Sequence, residues 1–125
     1  MTRGDGRLYF AGINDYTGED FGDPADLASA LADRRSDDTV VLLAHQPRQA
    51  EMAAAAGIDL QLSGHTHGGQ VWPFHYAVLT QQKTLAGLSR VGDTQVFTSR
   101  GAGFWGPPVR VRAPPDVSVL TLTAG

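Results

Sequence analysis

A chain of 125 residues, 42% hydrophobic and 18% charged, has room for one domain with a real core. Its formal net charge of -3 lacks the basic footprint of a nucleic-acid binder, so no nucleic acid is expected as partner. The absence of cysteine excludes disulfides, thiolate zinc sites and cysteine nucleophiles. No apolar stretch approaches the roughly eighteen residues needed to span a bilayer. Met1 to Gly6 lacks the apolar core of a signal peptide, so the sequence as written reads as cytoplasmic.

Leu8 to Ile13 is a short apolar, aromatic and β-branched run, which predicts a strand. A polar loop from Asn14 to Gly22 follows, with Asn14-Asp15 read as a turn in preference to a place at the edge of a site. Asp23-Pro24-Ala25-Asp26 predicts a helix start, with Asp23 as the cap and proline in the first turn, running to about Arg35. Thr39 to Ala44 is the strongest strand, an unbroken apolar run of the kind covered on both faces, and His45 follows it. Pro47 opens a second helix through Met52 and Ala56, which Gly57 stops. Ile58 to Leu62 is a third strand.

That strand runs into Gly64-His65-Thr66-His67-Gly68-Gly69-Gln70, a turn too rich in glycine to be ordinary core. Two strand-helix units in succession thus deliver His45 and His65 to one sheet edge, where open α/β sheets place their ligands. Histidine is the commonest metal ligand, so the edge is a candidate metal site. Beyond Phe74 the character changes. Thr84–Leu88, Thr94–Thr98, Val109–Val111 and Val117–Leu122 read as strands with turn signals and no helix between them. Arg90, Arg100, Arg110 and Arg112 gather here in the manner of a solvated sheet face. His75 matches no ligand pattern and reads as a surface or packing residue. Trp72 and Trp105 read equally as groove walls and as loop anchors.

Leu43-Ala44-His45-Gln46-Pro47 and Leu62-Ser63-Gly64-His65-Thr66-His67-Gly68-Gly69-Gln70 resemble the last two metal motifs of calcineurin-like metallophosphoesterases. Trp72-Pro73-Phe74, Ser99-Arg100-Gly101 and Trp105-Gly106-Pro107-Pro108 resemble the extended signature of a bacterial phosphodiesterase branch. The resemblance implies an α/β fold: the C-terminal half of an αββα sandwich, with a mixed sheet and antiparallel C-terminal strands, residues 1–125 forming one partial domain. It implies two divalent ions (Mn, Fe, Zn or Mg) bridged by an aspartate and a hydroxide that attacks phosphorus. His45 and His65 would bind one ion and His67 the other. Apart from the resemblance, Arg100 beside Gly101 is the candidate phosphate-facing cation, weighed against a structural ion pair. The substrate implied is a phosphoester, either a small molecule or a lipid.

The family pattern also requires Asp-x-His, Gly-Asp-x-x-Asp and Gly-Asn-His upstream. Neither Asp-x-His nor Asn-His occurs in the chain, and Gly22-Asp23-Pro24-Ala25-Asp26 matches the middle pattern outside its strand context. The catalytic residues are therefore unknown. At most one weakly held ion is expected, and the chain alone is expected to be inactive or nearly so. The alternatives are a non-catalytic metal-binding remnant and a structural or interaction domain. An uncovered sheet face predicts either a missing N-terminal half or self-association. The parent protein is expected to be membrane-associated or exported.

Overall fold

The computed structural model describes residues 1–3, 6–82 and 84–123. Its centre is a six-stranded sheet in the order β1-β2-β3-β4-β6-β5. The strands are β1 (Thr2–Arg3), β2 (Gly6–Gly12), β3 (Thr39–Leu43), β4 (Leu60–Ser63), β5 (Gly87–Val91) and β6 (Thr94–Thr98). β2, β3, β4 and β6 are parallel, and the outer strands β1 and β5 pair antiparallel to their neighbours. The sheet is mixed, as the resemblance implies.

Among the described residues there are three short α-helices: α1 (Leu27–Ala30), α2 (Ala50–Ala55) and α3 (His75–Gln81). Cross-strand register decides which sheet face they cover. Ala11, Leu42, Gln61 and Val96 lie opposite one another, and so do Tyr9 and Val40. This face packs with Leu27, Ala53 and Ile58 into the core, with Ala30, Leu31, Met52 and Ala56 at its margin. Each fully buried Val or Leu contributes about 1.5–3 kcal/mol.

The opposite face carries Phe10 and Val41 in one row, and Leu43, Leu62, Phe97 and Leu88 in the next. Leu43 is 50% exposed and Leu88 65%. The sheet is therefore sealed on one face and bears exposed apolar side chains on the other. This qualifies the expectation that β3 is covered on both sides: Val40, Val41 and Leu42 are buried, whereas Leu43 is open.

Several expected elements change. Asp26, not Asp23, caps α1: its carboxylate accepts from the Ser29 N–H and hydroxyl, at 2.9 and 2.5 Å. The helix is also much shorter than a run to Arg35. Pro47 does open the second helical stretch, as a 3-10 turn over Pro47–Gln49 leading into α2, and Gly57 ends it at φ 65°. The strand expected over Thr84–Leu88 is displaced to Gly87–Val91. Val109–Val111 reduces to a single bridge between Val71 and Val111, and Val117–Leu122 is not a strand. Val117 and Val119 are 88% and 91% exposed, so alternation without a neighbouring strand has nothing to pair with.

α3 is a helix where none was expected. It begins without a side-chain cap, at Phe74. Its start is set by close packing instead: a Cβ on Gly69 would lie 2.3 Å from the His75 Cβ. Only glycine lets the turn approach the helix so closely, and its φ of 79° requires glycine as well.

Candidate functional site

β3 and β4 are parallel neighbours, and each ends in a histidine-bearing turn on the same sheet edge. Gly64 N–H donates to the His45 carbonyl at 3.0 Å, tying the two turns together. The His45 and His65 rings meet edge to face, with centroids 5.1 Å apart. His65 and His67 both adopt left-handed backbone conformations, φ 65° and 49°. Non-glycine residues rarely do so, and such strain is characteristic of functional turns.

Burial, and then the neighbouring His45, lower the His65 pKa from its ordinary value, against a smaller opposing pull from Asp15. Neutral imidazole is the ligating form. His67 is also held below its ordinary value, by burial and by the Arg110 guanidinium. Arg110 Nη2 lies 3.2 Å from His67 Nδ1. Arginine has only donors, so Nδ1 accepts and the proton of the neutral ring sits on Nε2. Arg110 further grips the carbonyls of His67, Arg100, Gly101, Gly103 and Ala113.

The donor set therefore divides. His45 and His65 form an imidazole pair suited to a shared cation, whereas His67 is turned to a guanidinium. Among the described residues, no three His, Asp or Glu side chains form a group that could hold a metal ion. Two imidazoles fall short of a metal centre by themselves and would need further donors to hold an ion.

Asp15, for which the sequence offered a turn or a place at the site edge, lies beside this pair. Its Oδ1 accepts from the Thr17 N–H at 2.9 Å, the Thr17 hydroxyl at 2.6 Å and Gln46 Nε2 at 2.9 Å. Oδ2 is buried with no hydrogen-bond partner. Burial tends to raise the Asp15 pKa, but the Thr17 and Gln46 hydrogen bonds and the charge of His45 outweigh it and lower the value. Buried glutamines brace the His45 turn. Gln46 accepts from Gln82 Nε2 and its carbonyl from Gln61 Nε2, while Gln49 reaches the Asn14 carbonyl.

The three histidines line one cavity of about 500 Å³, together with Phe74, Ala77, Val78 and Trp105. Trp105 thus serves as a wall. Its loop is fastened by Gln70, a buried residue whose Nε2 donates to the Trp105 carbonyl at 2.6 Å and the Pro107 carbonyl at 3.2 Å. The Trp105 N–H donates back to Gln70 Oε1 at 2.5 Å. Sequence reasoning placed Gln70 in the motif without a role; no local signal shows a clamp to residues thirty-five positions away.

Arg100 is not brought into this cavity. Its aliphatic stem packs over Gly68, and it lines a separate cavity of about 320 Å³ with Trp72, His75 and Arg112. The Arg112 guanidinium lies 5.1 Å from the Trp72 ring centroid. His75 packs on Gly69 and against the Tyr76 ring, in keeping with a packing role.

No family model and no solved structure matches the chain. Curated relatives do. It is 44% identical over 119 residues to an uncharacterised metallophosphoesterase of Campylobacter jejuni, covering 94% of this chain and 32% of that protein. An uncharacterised metallophosphoesterase of Aquifex aeolicus is 34% identical, over 92% of this chain and 45% of its own length. A Bos taurus transmembrane protein with metallophosphoesterase domain is 38% identical, over 91% and 26%. The chain spans about a third of the length of the Campylobacter relative. With the paired histidine turns on a mixed α/β sheet, these likenesses show that the chain belongs to the metallophosphoesterases.

Proposed function

We propose that the chain supplies the histidine side of the active centre of a calcineurin-like, metal-dependent phosphodiester hydrolase. The observation that carries this is the His45–His65 pair, set ring to ring by two adjacent parallel strands, with His67 two residues on. Divalent ions bound there would supply the positive charge that makes water nucleophilic and polarises phosphoryl oxygens. His45 and His65 would hold one ion. His67 would serve a second ion only on exchanging its contact with Arg110. Asp15, with an unpartnered buried oxygen beside the pair, is the nearest carboxylate to assist. The acidic bridge and the remaining ligands belong to residues outside this chain, so the chain alone is inactive.

A second reading, non-catalytic capture of one ion, is favoured by the Arg110–His67 contact. Turnover of bis(p-nitrophenyl) phosphate separates the possibilities. The chain alone should give none with Mn²⁺ or Zn²⁺, and turnover lost on His65→Ala would refute its inactivity. Joined to an upstream segment bearing the carboxylate motifs, the chain should gain activity. Failure of a folded, metal-loaded longer protein to turn over any phosphoester would favour the second reading. The Bos taurus relative is named a transmembrane protein, which supports a membrane-associated parent. Among the described residues no helix is long and apolar enough to cross a membrane.

A further inference from the structure

α3 raises a question the histidines do not answer. Phe74, at its start, and Ala77, Val78 and Gln81 follow the i, i+3, i+4, i+7 spacing of one helix face. All four line the histidine cavity. A short amphipathic helix ordinarily turns its apolar stripe to the core, yet no residue of α3 is buried. The stripe faces an open cavity instead.

Beside Phe74 stands Trp105, its ring parallel within 5° and the centroids 6.3 Å apart. Both rings are substantially exposed, at 50% and 67%. Neither is held by sheet packing. Phe74 is fixed by the Gly69–His75 approach at the head of α3, and Trp105 by the Gln70 clamp. Two neighbouring residues of the histidine turn thus each hold one aromatic wall.

We infer that the Phe74–Trp105 pair and the Ala77–Val78 stripe form a subsite for the apolar substituent of a phosphoester, whose phosphate lies at the histidines. The inference rests on the phosphoester reading of the histidine cavity. At about 500 Å³ the cavity exceeds the need of a phosphate alone and falls within the range of small-molecule sites. Its lining pairs imidazoles with parallel aromatic faces and aliphatic carbons, a surface complementary to an ester with one charged and one apolar end. A free phosphate, or a sugar phosphate rich in hydroxyls, would leave the stripe without a partner.

The test uses tryptophan emission. Trp72 and Trp105 are the only tryptophans, so Trp72→Phe leaves Trp105 as sole reporter. The Trp72→Phe chain is titrated in magnesium buffer with hexyl phosphate, phenyl phosphate, inorganic phosphate and hexanol, with phosphorus NMR line widths as a second readout. Hexyl or phenyl phosphate should bind at least about tenfold more tightly than inorganic phosphate, as burial of an apolar group requires. The preferred member of the two identifies a lipid-like or an aryl source. Val78→Asn, which removes the apolar wall without adding a charge, should erase that preference. Equal affinity for inorganic phosphate and both esters would overturn the subsite and leave the phosphoester reading standing. Hexanol binding as tightly as hexyl phosphate would overturn the phosphoester reading itself.

Discussion

Replacing Gln70 by alanine tests whether the histidine turn holds the Trp105 loop that lines the cavity. The side chain makes three hydrogen bonds to the backbone of Trp105 and Pro107, at 2.6, 3.2 and 2.5 Å. A typical protein hydrogen bond has a net value of about 0.5–1.5 kcal/mol. The loop is exposed enough for water to re-solvate the freed groups, so the sum is reduced to about 2 kcal/mol. That cost falls on local opening of the loop rather than on global unfolding, because the core lies across the sheet. At 1.4 kcal/mol per factor of ten, the Trp105 amide should exchange with solvent about thirtyfold faster. Amides of β3 should be unchanged. Gln70→Glu keeps an acceptor for the Trp105 N–H but sets a carboxylate against two carbonyl oxygens, so it should fail as alanine does. Unaltered exchange at Trp105 in both variants would show that the loop stands without the clamp.

Other expectations follow from the same geometry. Gly69→Ala places a Cβ 2.3 Å from His75 in a left-handed conformation and should cost about 2 kcal/mol or more, read from urea unfolding. Gly68→Ala carries the same left-handed strain, at φ 65°, but its Cβ meets the flexible stem of Arg100 at 3.0 Å and not a backbone, so it should cost less; the reverse ranking would refute the packing account. His65 and His67 carry pKa values below the ordinary 6.5, so the unfolded chain binds more protons just under that pH. Their contribution to stability is full above the unfolded value and is lost as pH falls through it toward the folded values. The melting temperature should therefore begin to fall between about pH 7 and pH 5, and His65→Gln should flatten that slope. Asp15 acts lower, its stabilising hydrogen bonds being lost only as pH falls below about 4. In calorimetric titration with Zn²⁺, His45→Ala or His65→Ala should weaken binding at least about tenfold, and His67→Ala less. Equal losses at all three would place them on one ion. Leu43→Lys with Leu88→Lys should raise the soluble monomer fraction by removing apolar surface from the open face.

What could be read from the sequence was what hydrophobic periodicity and chain order determine directly. Thr39–Leu43 is a strand because its run is long, β-branched and unbroken, and parallel pairing with Leu60–Ser63 then places His45 and His65 together. Features that depend on distant partners were not legible. Val117–Leu122 has the alternation of a strand, but alternation specifies only faces, and among the described residues no strand pairs with it. Asp23 and Asp26 are equally plausible caps by residue type, and the position of the Ser29 N–H decides between them. α3 was missed because its stripe is brief, lacks a capping side chain and faces the cavity instead of the core. Its position depends on Gly69, six residues earlier. Gln70 looks on the page like one more polar turn residue, and only the fold shows what it grips. The motif from Gly64 to Gln70 is thus two devices in one stretch: its histidines are the proposed ligands, while its last glycine and its glutamine position the two aromatic side chains. Substitutions at Gly69 or Gln70 should therefore change which ester the cavity prefers while sparing the imidazole pair, and that separation distinguishes a composite motif from a metal-binding turn alone.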